Sequence, residues 1–263
     1  MEKITSRRNP LCVHLKKLGA NRSYRESCSE FLCDGLKLLE DAVDSGANIL
    51  TVLTATQLSF PLPVDTRVYY AERHLIDSLS PLKNAQELLF SCSIPEAGAF
   101  IWTPGTHVLL DGVQDPSNVG AIIRSANAFG IESVILTGGC ADPYNPKAIR
   151  ASMGAIYRQN IYNTSIPELV KLKEGANKPS ATSSSCNGSN VRFIGTAPGK
   201  GYRDASEVDY NDSLIVVGSE GRGLCESVLS LCDEMITIPI SPECESLNAA
   251  IAASIIMWEA RRV

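Results

Sequence analysis

The chain has 263 residues, 44% of them hydrophobic and 20% charged, which excludes a disordered or fibrous protein and leaves room for one large domain or two ordinary ones. Its formal net charge of −5 gives no overall basic surface for nucleic acid. The charge is unevenly placed, however. Residues 1–25 hold seven Lys or Arg (Lys3, Arg7, Arg8, Lys16, Lys17, Arg22, Arg25) against the single acid Glu2, a net +6 that leaves −11 on the remainder. A basic end on an acidic body is compatible with a nucleic-acid partner.

The N-terminus lacks the apolar core of a signal peptide, and the most apolar run, 247–260, is shorter than the ~20 residues that span a bilayer. A cytoplasmic protein without a membrane partner is expected. Nine cysteines include no Cys-x-x-Cys pair, and the three histidines (His14, His74, His107) are isolated. The cysteines therefore read as reduced, small apolar side chains, and no metal site is expected.

In chain order, residues 28–43 place Phe31, Leu32, Leu36, Leu38, Leu39 and Val43 at helical spacing. Residues 49–53, 67–70 and 87–91 read as strands, with Pro61 and Pro63 breaking the chain between the first two. The turn-prone stretch 95–105 closes this first α/β module, predicted over residues 1–95. From 106 to 263 strands alternate with helices. Residues 107–110, 133–137, 191–196, 214–217 and 235–238 read as strands, and 116–129, 146–157 and 247–261 as helices, with 175–190 a mobile loop. The strands are continuously apolar, which predicts a mainly parallel sheet covered on both faces.

Familiar catalytic motifs are absent or defective. No Gly-x-Gly-x-x-Gly follows the strand at 107–110, the glycines of Gly195-Thr196-Ala197-Pro198-Gly199-Lys200-Gly201 are one residue too close for a phosphate loop, and no Ser–His–Asp arrangement suggests itself. Three segments remain, each following a predicted strand, where ligands of parallel sheets collect. They are 110–130, with Asn118 and Arg124; 218–224, reading Gly218-Ser219-Glu220-Gly221-Arg222-Gly223-Leu224; and 238–249, with Ile238, Ser246, Leu247 and Asn248. Singly, each has a plain structural reading: Asn118 can satisfy helix-start amides, Arg124 can sit on a solvated helix face, the glycines around Glu220 can make a turn, and Ser246 can be an N-cap.

In order and spacing, the three segments resemble the motifs of the SpoU (TrmH-like) family of RNA ribose 2′-O-methyltransferases, within the SPOUT superfamily. Tyr144-Asn145-Pro146-Lys147-Ala148-Ile149-Arg150-Ala151-Ser152-Met153-Gly154 also resembles the family. Ile4-Thr5-Ser6-Arg7-Arg8-Asn9-Pro10 with Phe31-Leu32-Cys33-Asp34-Gly35 is similar to its substrate-binding domain of ribosomal-protein-L30e type. The resemblance implies an L30e-like α/β RNA-binding domain at 1–95 and a catalytic α/β domain at 106–263. The latter would be threaded into a deep trefoil knot, an exception to the rarity of knots.

It further implies S-adenosyl-L-methionine as methyl donor, no metal, and a homodimer that completes each active site at its interface. Thr196, Gly218, Ser219, Gly223, Ile238 and Leu247 fall on cofactor-binding positions; Arg124, Glu220, Ser246, Asn248 and Asn118 fall at or beside the catalytic centre. The chemistry suits those residues. A ribose 2′-OH is a very weak acid, so its developing charge needs a cation or donors nearby; Arg124 supplies a permanent cation that also grips phosphate.

Ser219 stands where many relatives carry Asn, Asp34 stands for the usual Glu, and a common Pro-Gln-Gly is missing around Asn84-Ala85-Gln86; the last two bear on which RNA is the target. The added N-terminal domain favours rRNA over tRNA. The alternatives are a tRNA 2′-O-methyltransferase, a non-catalytic RNA-binding ribosome-assembly protein of the same fold and, more remotely, a small-molecule methyltransferase.

Overall fold

The structure, a computed structural model, describes residues 2–83, 85–176, 191–199 and 201–262. It divides into two compact units: Met1–Glu96 with Asp142–Arg158, and Ala97–Ala141 with Gln159–Val263.

The first unit opens with β1 (Glu2–Ile4), α1 (Pro10–Ala20), α2 (Arg22–Cys28), β2 (Glu30–Asp34) and α3 (Leu36–Asp44), and continues through β3 (Ile49–Thr54), β4 (Arg67–Ala71), α4 (Arg73–Leu79) and β5 (Leu88–Ser93). The strands form a mixed sheet in the order β1-β4-β3-β5-β2, with β1 and β3 parallel to β4 and β5 antiparallel to β2 and β3. Leu15, Leu18, Leu32, Leu53, Ile76 and Leu89 form its core; burying each contributes roughly 1.5–3 kcal/mol.

The helix expected over 28–43 is instead a helix end, a strand and a second helix. Ser29 (φ 51°) and Gly35 (φ 112°) adopt positive φ and interrupt the helical path, and Phe31–Asp34 are buried together. A run buried on both faces suits a sheet better than one side of an amphipathic helix.

The second unit contains β6 (His107–Asp111), α5 (Pro116–Phe129) and β7 (Ser133–Leu136). The chain then passes through α6 (Pro146–Ser152), which packs in the first unit, and returns with β8 (Asn160–Asn163), α7 (Ile166–Ala176), β9 (Arg192–Thr196), β10 (Arg203–Asp204), β11 (Ser213–Gly218), α8 (Glu226–Leu229), β12 (Glu234–Thr237) and α9 (Ala249–Arg262). The seven strands are all parallel, in the order β10-β12-β9-β11-β6-β7-β8. Leu109, Ile135, Leu169, Phe193, Leu214 and Val216 form a core cluster.

Residues 142–158 therefore depart from the expectation that 106–263 packs as one body. The helix expected over 146–157 is also shorter: Met153 (φ 47°) and Gly154 (φ 81°) are left-handed and divide α6 from a 3₁₀ turn at Ala155–Tyr157. Of the loop expected at 175–190, Gly175 and Ala176 end α7; the rest lies outside the described residues. No helix among the described residues is long and apolar enough to cross a membrane.

Three helices begin with an Asn or Asp followed by Pro. Asn9, Asp115 and Asn145 each accept a backbone N–H two residues on, from Leu11, Ser117 and Lys147. The proline sits in the first turn, where its missing N–H costs nothing.

Candidate functional site

A cavity of about 440 Å³ opens at the C-terminal edge of the parallel sheet in the second unit. Thr196 ends β9, Gly218 ends β11, and Ile238 follows β12; with Ser219, Gly223 and Leu247 they all line this cavity. The six positions assigned to the cofactor by resemblance thus converge on one space. Ile236 and Ile256, inside the third motif at 236–259 but not among the six assigned positions, add apolar wall; both are ordinary apolar members of β12 and α9.

The loop after β11 folds tightly on itself. Ser219 and Gly223 exchange backbone hydrogen bonds (Ser219 N–H to Gly223 O, 3.2 Å; Gly223 N–H to Ser219 O, 2.9 Å). A Cβ on Gly218 would lie 2.5 Å from the Gly223 carbonyl oxygen and 2.7 Å from the Leu224 nitrogen. Only glycine permits that backbone approach.

Beside the cavity, three of the five residues assigned to the catalytic centre are hydrogen-bonded in a line. The Asn118 amide donates to Glu220 Oε1. Asn248 Nδ2 donates to Asn118 Oδ1 at 3.1 Å. Asn118 does not cap α5; Asp115 does so, which leaves the Asn118 side chain for Glu220 and Asn248. The cap of α9 is Asn248, not Ser246: Asn248 Oδ1 accepts from the N–H groups of Ala250 (3.0 Å) and Ile251 (3.3 Å). Glu220 and Ser246 line the cavity. Arg124 does not; it is exposed on α5. It forms no salt bridge among the described residues.

The geometry therefore defines a class: an α/β protein with a ligand cavity built from glycine-rich backbone at the C-terminal edge of a parallel sheet. The SpoU rRNA Methylase family model matches residues 105–258, and the chain belongs to that family. It is 29% identical over 266 residues to a Bacillus subtilis 23S rRNA (guanosine(2553)-2′-O)-methyltransferase, covering 99% of this chain and 100% of that protein. A 23S rRNA (uridine(2479)-2′-O)-methyltransferase of Streptomyces viridochromogenes is 30% identical over 277 residues, covering 99% and 92%. Among solved structures, the SpoU methyltransferase AviRb from S. viridochromogenes in complex with AdoMet matches with TM-score 0.82 and 28% identity, over 97% of this chain and 98% of that one.

Proposed function

We propose that this chain transfers a methyl group from S-adenosylmethionine to a ribose 2′-OH of 23S-type ribosomal RNA. The observation that carries the reading is the backbone cradle at Gly218 in a cavity lined by all six expected cofactor positions. The relatives named as 23S rRNA 2′-O-methyltransferases support the substrate class and the reaction.

The cavity suits the cofactor. Ile236, Ile238 and Leu247 offer apolar wall to a purine, while the 218–223 backbone and Thr196 offer polar contacts. S-adenosylmethionine supplies an electrophilic methyl on a sulfonium. This chain's residues position the ribose and stabilise charge. Arg124 stabilises the developing 2′-oxyanion and the adjacent phosphate, a role its guanidinium fills better than proton removal. Glu220 orders Asn118, and through it Asn248; Ser246 contacts the substrate from the cavity wall. The 218–224 and 238–247 segments are those the family threads through its trefoil knot.

Arg124 stands off its own chain's cavity, which supports a homodimer in which a second copy supplies it. The exposed apolar side chains of α9, Ile251 (53% exposed) and Trp258 (47%), the latter edge-on to Phe129 of α5 at 5.7 Å, support the same face as the dimer interface. The mixed α/β first unit and its exposed Arg7, Arg8, Lys16 and Lys17 support an L30e-like RNA-recognition role. The bacterial relatives named as 23S rRNA methyltransferases support a cytoplasmic location.

Tritiated S-adenosylmethionine with purified protein and total RNA from a strain lacking the gene tests this. Label is expected in large-subunit rRNA and lost with Arg124→Ala, which keeps cofactor binding. Label in tRNA would transfer the reading to the tRNA alternative. No label in RNA or ribosomal subunits, with cofactor bound, would favour a non-catalytic assembly role.

A further inference from the structure

Asp111 ends β6 with a buried carboxylate that is not on the cavity wall. Burying a carboxylate is costly unless it is hydrogen-bonded, so its partners indicate its use. Oδ1 accepts from the Thr137 hydroxyl at 2.9 Å, beyond the end of β7. Oδ2 accepts from the backbone N–H of Cys225 at 2.7 Å, where the loop after β11 meets α8. In the β6–β11 ladder, residue 111 is the register partner of Gly218, the residue from which that loop departs. One residue thus holds both ends of 219–224, the entry through the sheet and the exit through its side chain.

We infer that Asp111 is the positioning residue of the cofactor loop: it fixes Cys225 and thereby the path along which residues 219–223 present their backbone to S-adenosylmethionine. The inference rests on reading the cavity as the cofactor site. With both oxygens engaged inside the protein, Asp111 is not the base that removes the ribose proton; it acts through the loop. Asparagine can reproduce the arrangement. Its carbonyl would accept from Cys225 N–H and its amide would donate to Thr137 Oγ1, whose own proton turns to the Gly138 carbonyl 3.3 Å away. Alanine reproduces neither contact.

Calorimetric titration of the full chain with S-adenosylmethionine, alongside its melting temperature, tests this. Asp111→Ala is expected to raise Kd by about tenfold or more, while Asp111→Asn stays within about threefold of wild type. Thr137→Val cuts only the contact on the sheet side, so it lowers Tm and leaves Kd within about threefold. Equal Kd for folded Asp111→Ala and wild type overturns the inference. Should the alanine variant not fold, amide hydrogen exchange of the cofactor-free wild type decides: Cys225 N–H is expected to be protected, and free exchange there overturns the inference. Failure of the wild type to bind S-adenosylmethionine would instead sink the functional reading, while the exchange experiment still judges the clasp.

Discussion

Asn118 is held between a carboxylate that accepts its amide protons and an amide that donates to its carbonyl. Removing the side chain in Asn118→Ala frees Glu220 and is expected to lower kcat/KM about 10–100-fold, with Tm little changed because the helix keeps its Asp115 cap. Asn118→Asp should be worse, since it sets a second carboxylate against Glu220 where the amide donated. Single-turnover methyl transfer checks this; wild-type rates for the aspartate variant would show that the contact contributes nothing. Gly218→Ala forces a Cβ against the 223–224 backbone and is expected to weaken cofactor binding about tenfold or more, again by titration calorimetry. At this scale the sequence shows which residues matter and not how they meet. Asn118 reaches partners 102 and 130 positions away, and no local spacing encodes that.

Elements were legible where one periodicity held throughout. The 107–110 strand and the 116–129 helix appear with nearly the expected bounds, the helix closed by Gly130 at φ 73°. Around residues 28–43, apolar residues of a strand and of the next helix lie close enough to imitate a single helical stripe, and only Ser29 and Gly35 mark the breaks. The strand β8 is not legible in the sequence because asparagines at both its ends leave no apolar run, whereas the equally short β7 is buried throughout. His107, at the start of β6, packs tilted against Trp102 at 4.4 Å and edge-to-face with Phe100 at 5.3 Å and is fully buried. Burial pushes its pKa below the ordinary value of 6.5. The folded state therefore resists a proton that the unfolded state accepts, so its contribution is intact above about pH 6.5 and is lost as pH falls below it. His107→Gln should show a smaller Tm loss between pH 7 and pH 5.5 than wild type in scanning calorimetry. An equal loss in both would assign the acid sensitivity elsewhere.

Across the whole molecule, the basic N-terminal segment was visible as a charge imbalance, but the imbalance overstates the surface offered to RNA. Lys3 pairs with Glu72 and Arg22 with Glu26. Arg25, 3% exposed, is buried against Asp142 (11%) at 2.5 Å, with a further bond of 2.6 Å to the Leu18 carbonyl. Its partner is 117 residues away, which is why sequence counted it among the phosphate contacts. Arg25 ties the Asp142–Arg158 segment to the first unit, so Arg25→Met leaves an uncompensated buried charge and should cost about 3–5 kcal/mol in chemical denaturation. The exposed Arg7, Arg8, Lys16 and Lys17 are a different population. Replacing any one with Ala should leave stability within about 0.5 kcal/mol and reduce the slope of log K against log salt for 23S RNA by roughly 0.7–0.9. Filter binding at several KCl concentrations separates the two groups. A slope that falls for folded Arg25→Met and holds for the other four would reverse the assignment, because a guanidinium sealed against Asp142 has no counterion to exchange with a phosphate.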